Sequence, residues 1–380
     1  MPLGRCRRRL VPVAPARIPE ILRHFGALWT TTFMSPETEQ MMRTCARSVR
    51  LWIPVVASLF LTPAAALAVS EDAKLTASDG ATFDNFGTSV SIFGNTALIG
   101  ASVDRDGNGQ LTGSAYVFRF DGNSWVEEAK LTASDGADGD SFGDSVSISS
   151  DTALIGAPGN DGNGSHTGSA YVFRYDGNSW VEEAKLTASD GGSGDNFGGS
   201  VSTSANTFVV GADGDDDNGS ESGSAYVFRY DGSSWVEEAK LTASDGFEGN
   251  FFGSSVSIFG NVTVIGAFFD NDGNGQFSGS AYSFRYNGSS WVEEAKLTAS
   301  DGATEDQFGF SVSTFGNATV IGSPFDDDNG SYSGSVYVFG EPAPPPYNLA
   351  PTLSPLGVAI LLGLIGTMVY LRLRDSASAA

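Results

Sequence analysis

Two short runs of the chain carry oxygen-bearing side chains at the spacing of metal ligands. Each run has an acid or amide at alternate positions before a glycine, which is typical of the first half of an EF-hand-like calcium loop. Position twelve, where such a loop has a bidentate glutamate, is Ala115 in one run and Ala281 in the other. The pattern therefore predicts a partial calcium site, and a turn rich in Asp and Asn is the alternative interpretation. The candidate ligands are Asp104, Asp106, Asn108, Asp270, Asp272 and Asn274.

Acidic residues are also the candidates for catalysis, in the form of polysaccharide cleavage. That chemistry needs one acid and one base in different environments, whereas acids such as Asp140 and Asp195 recur here at equivalent positions along the chain. His166 is the only histidine beyond residue 68, and no nucleophile or metal-hydrolase spacing includes it. We therefore predict that the chain is not an enzyme, with a polysaccharide-acting enzyme as the alternative.

All these residues belong to a unit that the chain repeats five times. Each complete unit holds four short runs with alternating, β-branched or aromatic residues, separated by Gly, Asn and Asp, and these are strand and turn signals. Four antiparallel strands are what one propeller blade needs. We predict an all-β fold, a five-bladed β-propeller over residues 69–340, with an all-β solenoid as the alternative. The phrase KLTASDG recurs every 55 or 56 residues, beginning at Lys74, Lys130, Lys185, Lys240 and Lys296.

The two ends of the repeat region are incomplete in complementary ways. The fifth unit stops at Gly340 and lacks the run WVEEAKL that ends the other four units. Residues 71–75 read EDAKL, which is the end of such a run. An open sheet edge is a liability that closure removes. We therefore predict that the N-terminal strand completes the fifth blade and closes the ring.

The units also share three short motifs: FG, then IGA or a near variant, then GSAYVF or a near variant. The second motif is spelled GAP in full only at Gly156-Ala157-Pro158. In these motifs the chain resembles the FG-GAP repeat of integrin-α-type propellers, in its bacterial variety. The resemblance covers about residues 74–340 and implies a propeller used for extracellular binding; it does not imply catalysis. The FG pairs are Phe86-Gly87, Phe142-Gly143, Phe197-Gly198, Phe252-Gly253 and Phe308-Gly309.

The connections after the second and fourth strands are long and differ most between units. Alternate connections of a meander fall at opposite ends of the sheet, so we expect both long loops on one face of the ring. Variation on one face of a constant scaffold favours recognition, and drift in solvated loops is the alternative. The candidate partner-binding residues share one position in the five units: Leu111, His166, Glu221, Phe277 and Tyr332.

The repeat region is strongly acidic. Residues 69–340 hold forty acidic and ten basic residues, a net charge of −30. Such a surface repels nucleic acid and anionic lipid, and attracts cations or basic partners. We therefore exclude nucleic acid as a partner, while solubility of an exported protein is the alternative reason for the acidity.

Segments on either side of the repeats predict export and membrane attachment. Residues 1–68 contain a basic stretch and then an apolar run, which is typical of a secretory signal cleaved after Ala68. Residues 341–354 are a Pro-rich linker, 355–371 an apolar span that predicts a transmembrane helix, and 372–380 a short basic tail. The C-terminal region also resembles the IPTL-type sorting signals of Gram-negative bacteria.

These patterns together predict an exported, membrane-anchored protein at the cell surface or in the periplasm, whose propeller is a binding or adhesion module. The expected partner is an extracellular protein or a polysaccharide. Two other classes stay open, an enzyme acting on polysaccharide and a purely structural envelope repeat without a partner.

Overall fold

The computed structural model describes residues 71–105, 109–162 and 164–340. These residues form strands, turns and loops, with no helix among them. In this part of the chain there is consequently no helix long and apolar enough to cross a membrane. The predicted signal segment, Pro-rich linker, apolar span and basic tail lie outside the described residues.

Nineteen strands form five antiparallel sheets in the described residues, and each sheet is a meander in chain order. The first four sheets have four strands and the fifth has three. The prediction of an all-β propeller with five blades is therefore confirmed. The strands are β1 (Val90–Phe93), β2 (Thr96–Ala101), β3 (Ser114–Phe120) and β4 (Trp125–Leu131) in blade 1; β5 (Val146–Ser149), β6 (Thr152–Ala157), β7 (Ser169–Tyr175) and β8 (Trp180–Leu186) in blade 2; β9 (Ser200–Ser204), β10 (Thr207–Ala212), β11 (Ser224–Tyr230) and β12 (Trp235–Leu241) in blade 3; β13 (Ser255–Phe259), β14 (Val262–Ala267), β15 (Ser280–Tyr286) and β16 (Trp291–Leu297) in blade 4; and β17 (Ser311–Phe315), β18 (Ala318–Ser323) and β19 (Ser335–Phe339) in blade 5.

The sequence of each strand explains its place in the blade. The second strand, such as β6 with the sequence TALIGA, is buried throughout, because both sheet neighbours and adjacent blades cover it. The fourth strand, such as β8 with the sequence WVEEAKL, alternates half-buried and exposed residues along most of its length, because it is the outer edge. A register shift recurs between the third and fourth strands, at Val117/Phe118 in blade 1, so a β-bulge is part of the repeat.

The apolar core lies between neighbouring blades. The first strands of successive blades pack side by side, from β1 through β5, β9 and β13 to β17. Leu98 and Val117 of blade 1 share one buried cluster with Ile148 and Phe173 of blade 2. The same arrangement recurs at the following junctions. Each of blades 2, 3 and 4 thus buries one face against its predecessor and the other against its successor, and this burial is the main source of stability.

The fifth blade lacks the closing strand that the sequence predicted. Residues 71–75 lie in no strand, and β19 is the outermost strand of its sheet. Leu75 and Ala77 instead pack on the cluster of blade 1 that contains Tyr116 and Phe118. The prediction of ring closure by the N-terminal strand is wrong for this structure, because the first and last blades leave their outer apolar faces exposed rather than burying them on each other.

Candidate functional site

The long connections lie on one face of the repeat domain, which confirms the sequence prediction. The N–H of Gly139, in the connection into blade 2, donates to the carbonyl of Leu111 in blade 1 at 2.9 Å. The N–H of Gly194 donates to the carbonyl of Ser165 in the same way, also at 2.9 Å. We call the surface formed by the connections after the second and fourth strands, such as residues 109–113 and 132–145, the long-loop face.

The five predicted partner-binding residues occupy equivalent positions on the long-loop face, one in each blade. All but Leu111 have a left-handed backbone, with φ between 53° and 57°. The N–H of His166, for example, donates to Asp161 Oδ1 at 2.8 Å, and its carbonyl accepts the N–H of Asn196 from the next blade at 3.1 Å. The backbone therefore fixes the loop while the side chain is free to vary. Because each residue lies on a different blade, the structure does not gather the five into one site.

Phe277 differs from its four counterparts because it belongs to a cluster of aromatic rings. Its ring centroid lies 4.8 Å from that of Phe269, which lies 4.3 Å from Phe268 and 5.4 Å from Phe251. Phe310, in the connection into blade 5, reaches Phe268 at 5.6 Å. Phe310 is 49% exposed and the other four are half-buried. We call these five residues the aromatic patch.

The aromatic patch is a property of the fourth blade and the start of the fifth, not of the repeat. Sequence reasoning selected Phe277 for its position and missed the other four residues. The missed signal is a pair of Phe-Phe doublets, at 251–252 and 268–269, which no other unit contains. In blade 2 the positions of the patch carry Ser141, Asp144, Pro158, Gly159 and His166.

Tyr332 makes a smaller aromatic contact on the long-loop face of blade 5. It is largely exposed and packs edge-to-face on Phe325, with the ring centroids 5.5 Å apart. Phe325 stands at the position that Phe269 has in blade 4. Half-buried or exposed aromatic rings thus lie on the long-loop face of blades 4 and 5, whereas His166 and Glu221 occupy the position of Tyr332 in blades 2 and 3.

The residues that all blades share match one known family. The FG-GAP repeat family matches the chain at residues 69–118, 125–173, 180–228, 235–284 and 291–339. The chain belongs to the FG-GAP repeat family. No curated protein matches it.

The phenylalanine that opens each FG-GAP repeat is a structural residue at the junction between blades. Phe142 is fully buried, and its N–H donates to the carbonyl of Thr112 in the preceding blade at 3.0 Å. Its ring packs edge-to-face on Tyr171 at 5.4 Å and on Phe173 at 6.0 Å. The FG motif therefore joins blade to blade, and recognition must depend on other residues.

The four complete FG-GAP blades each hold a lysine among polar partners. In blade 1, Lys130 Nζ lies 2.6 Å from Asp79 and 2.7 Å from Asp104, and the Tyr116 hydroxyl is within hydrogen-bond distance of both carboxylates. We call each such group an acid–lysine cluster. In blade 2 an amide replaces the second acid. The equivalent groups are Asp135, Asn160, Tyr171 and Lys185 in blade 2, Asp190, Asp215, Tyr226 and Lys240 in blade 3, and Asp245, Asp270, Tyr282 and Lys296 in blade 4.

The contacts inside an acid–lysine cluster keep its charges in place. Burial alone would raise the pKa of Asp190, but the hydrogen bonds from Lys240 and Tyr226 outweigh it and the pKa falls below its usual value. Burial alone would lower the pKa of Lys240, but its hydrogen bonds to the acids outweigh burial and the pKa rises. At neutral pH Lys240 and Asp190 are therefore both charged.

One of the predicted calcium ligands belongs to the acid–lysine cluster of blade 4. Asp270 is buried and lies 2.6 Å from Lys296 Nζ. Asp272 accepts hydrogen bonds from the Ser278 hydroxyl and from the N–H of Asn274. These oxygens satisfy protein donors rather than converging on one point, so the donor set fits a lysine and a turn better than a calcium ion.

In blade 1, too, a predicted calcium ligand pairs with a lysine. Asp104 is buried against Lys130, while Asp106 and Asn108 lie outside the described residues. Across the described ranges, no group of three or more His, Cys, Asp or Glu residues is arranged to hold a metal ion. Calcium therefore stays a prediction.

The two acids considered for catalysis stabilise turns of the long-loop face. Asp140 is buried and accepts the N–H of Ala137 and the side-chain amide of Asn160, both at 2.9 Å. Asp195 is also buried and accepts the N–H of Gly192 at 2.6 Å. These contacts explain why the acids recur in the repeat; the enzyme alternative stays a prediction.

Proposed function

We propose that this FG-GAP propeller is the binding module of an exported, membrane-held surface protein, and that its aromatic patch contacts the partner. The observation that carries the proposal is the group of five phenylalanine rings on the long-loop face of blades 4 and 5. Blades 2 and 3 have small or polar residues at these positions, so folding of the repeat does not require the rings.

The chemistry of the aromatic patch suits recognition of another molecule. Clustered apolar side chains on the surface of a soluble protein mark interaction sites. Aromatic rings provide a large contact area with few rotatable bonds, and central aromatic anchors supply much of the affinity at protein interfaces. Phe310 is about half exposed and its neighbours are half-buried, so the patch is held in shape before a partner arrives.

The charge around the patch favours one class of partner. The net charge of −30 over residues 69–340 attracts basic surfaces and repels acidic ones. An extracellular protein with an apolar contact surface and a basic rim therefore fits best. A neutral polysaccharide, whose sugar rings can stack on phenylalanine, is the second candidate.

Binding by the patch is tested with the double substitution Phe269→Ser and Phe277→Ser in the full-length chain. We expect the variant to keep the melting temperature within a few degrees and to lose attachment to immobilised envelope proteins or polysaccharides that the parent protein binds. Phe120→Ser, which removes an exposed ring from the outer part of blade 1, is the matched control and should leave binding unchanged. Equal attachment of parent and double variant would favour the structural class instead.

Export and membrane attachment are supported by the apolar runs in residues 1–68 and 355–371. We expect mass spectrometry of the mature protein to find Val69 at its N-terminus and the protein in the membrane fraction. Removal of residues 355–380 should release it. A mature protein that begins at Met1 and stays in the cytosol would contradict this part of the proposal without touching the role of the patch.

A further inference from the structure

The outer faces of the first and last blades expose apolar residues that are buried elsewhere in the repeat. Val338 on β19 is 62% exposed, whereas Val117 at the same position in blade 1 is fully buried. Val90 on β1 is 69% exposed, whereas Val146 at the same position in blade 2 is 6% exposed. Val117 and Val146 belong to one buried cluster between blades 1 and 2. The blade-5 end, which carries Val338, and the blade-1 end, which carries Val90, are thus the two halves of an inter-blade junction.

The blade-5 end also has a groove where an FG pair docks at the other junctions. At the first junction Gly113 pairs in a parallel bridge with Phe142 of the next blade, and the three junctions that follow repeat this pairing. Gly334 stands at the position of Gly113, and it borders a groove of about 470 Å³. The blade-1 end presents Phe86-Gly87, the FG pair that precedes β1. The lining of the groove includes Phe310, Pro324 and Val336 together with Gly334 and several serines.

The charges of the two ends are complementary. Asp301 and Asp326 of blade 5 lie 2.9 and 2.8 Å from the Tyr337 hydroxyl, as in an acid–lysine cluster, but blade 5 has no fourth strand to supply the lysine. Lys74 at the blade-1 end has the sequence position of Lys130 and is exposed. Within the described part of the chain no hydrogen bond or ion pair joins Lys74 to an acid.

We propose that the blade-5 end of one copy of the protein docks on the blade-1 end of a second copy. A second copy offers the matching apolar face, the FG pair and the lysine together, in the arrangement that already holds the four internal junctions. Within one chain the blade-1 end and the blade-5 end do not cover each other, so both surfaces are available to a second molecule. Repeat proteins normally end in units with polar outer faces, and neither end of the described domain has one.

The contact joins two unlike surfaces, so it can repeat from copy to copy. Such head-to-tail contacts produce closed rings or open filaments, depending on the rotation between copies. In either assembly the Phe86-Gly87 pair of one copy would occupy the groove at Gly334 of its neighbour, and Lys74 would lie between Asp301 and Asp326.

The test uses two variants of the full-length chain, each with one end disabled. Val338→Glu places a charge on the blade-5 end, and Val90→Glu places one on the blade-1 end. Both positions are exposed within one chain, so the variants should fold normally, which circular dichroism checks. Val236→Glu, at a valine of similar exposure on the outer strand of blade 3, is the matched control.

Sedimentation equilibrium should show that the parent protein and Val236→Glu self-associate as concentration rises, while each end variant stays a single chain. An equimolar mixture of Val338→Glu and Val90→Glu should form a one-to-one dimer and nothing larger, because one intact end of each kind remains. Lys74→Asp should weaken association of the parent, and Asp301→Lys should restore it.

Three results would overturn the proposal. These are a parent protein that is a single chain at every concentration, end variants that associate as the parent does, or a mixture that stays monomeric. A single-chain parent whose β1 and β19 amides are strongly protected from exchange would show that one molecule closes its own ring. Phe310 belongs to both the groove and the aromatic patch, but Phe269 and Phe277 take no part in the proposed contact, so failure here leaves the test of the patch with these two residues intact.

Discussion

Blade 3 and blade 5 are built from almost the same residues, yet their acids are in opposite situations. In blade 3, Lys240 Nζ lies within 2.9 Å of Asp190, Asp215 and Asp217. In blade 5 the equivalent acids, Asp301 and Asp326, share only the Tyr337 hydroxyl. The difference follows from one strand, because the lysine is carried by WVEEAKL and the fifth unit has none.

The pKa values reflect this difference. Hydrogen bonds from Lys240 and Tyr226 outweigh burial and lower the pKa of Asp190. In blade 5 the pKa of Asp328 is raised by the charges of Asp326 and Asp301. Burial raises the pKa of Asp306 and also that of Asp195, its counterpart in blade 3, so this shift does not depend on the lysine. The difference lies at Asp328, because its counterpart Asp217 in blade 3 pairs with Lys240 at 2.6 Å, whereas Asp328 faces only the charges of other acids.

Removal of the lysine from blade 3 should have the largest effect. Lys240→Met leaves the buried carboxylate of Asp215 without its cation, and breaking a buried ion pair by removing one partner costs about 3–5 kcal/mol. Lys185→Met in blade 2 is the matched control, and it should cost less because Asn160 replaces the second acid there. Denaturant titration of both variants measures the difference. Equal losses would show that the cluster acts through packing rather than through charge.

A methyl group at the blade junction should have the next largest effect. A Cβ at Gly211 in blade 3 would lie 2.0 Å from the carbonyl oxygen of Gly253 in blade 4, so Gly211→Ala forces two backbones apart and should cost about 1–3 kcal/mol or more. At Gly322, the equivalent position in blade 5, the nearest atom is the movable hydroxyl of Ser311 at 2.5 Å. Thermal melting of Gly211→Ala and Gly322→Ala compares an internal junction with a free end. A larger loss for Gly322→Ala would contradict the packing described here.

Acid should act on the two blades at different pH. Asp328 has a raised pKa, so its repulsion by Asp326 and Asp301 is relieved as it binds a proton on the way down from neutral pH, whereas its blade-3 counterpart Asp217 pairs with Lys240. The stability contributed by Asp190, whose pKa is lowered, is fully present above the ordinary aspartate value of about 3.9 and is lost only as the pH falls through the lowered pKa. Hydrogen exchange, corrected for intrinsic rates, should therefore show β18 gaining protection before β10 loses any. Parallel loss in both strands would rule this out.

Calcium should have the smallest effect. Asp104 and Asp270 already pair with lysines, so a calcium ion would be coordinated by the remaining oxygens of each loop. We expect a small rise in melting temperature over an equal concentration of magnesium, removed by Asp272→Asn. Identical melting in calcium, magnesium and chelator would contradict the calcium prediction.

The sequence was sufficient for the architecture because its signals repeat. The KLTASDG phrase, the FG pair and the GSAYVF run or a near variant of it each occur five times, so the blade count and the common face of the long loops followed directly. The calcium interpretation relied on local spacing, which cannot show that Asp270 meets Lys296, a residue 26 positions later. Likewise the aromatic patch joins Phe251, Phe268 and Phe310 across two blades, and only folding brings them together.

Every junction joins a residue to one about a single repeat further along the chain. The Ser134 hydroxyl bonds to Glu182 and the Ser189 hydroxyl bonds to Glu237, each 48 positions later. A gene segment that encodes one repeat can therefore be duplicated or lost in frame, and the new neighbours will meet through the same contacts. Unequal crossing-over can change the number of blades without altering any junction. The Phe-Phe doublets are encoded within such a segment and are copied or lost with it. Duplication can therefore move or multiply a recognition surface while the scaffold stays the same.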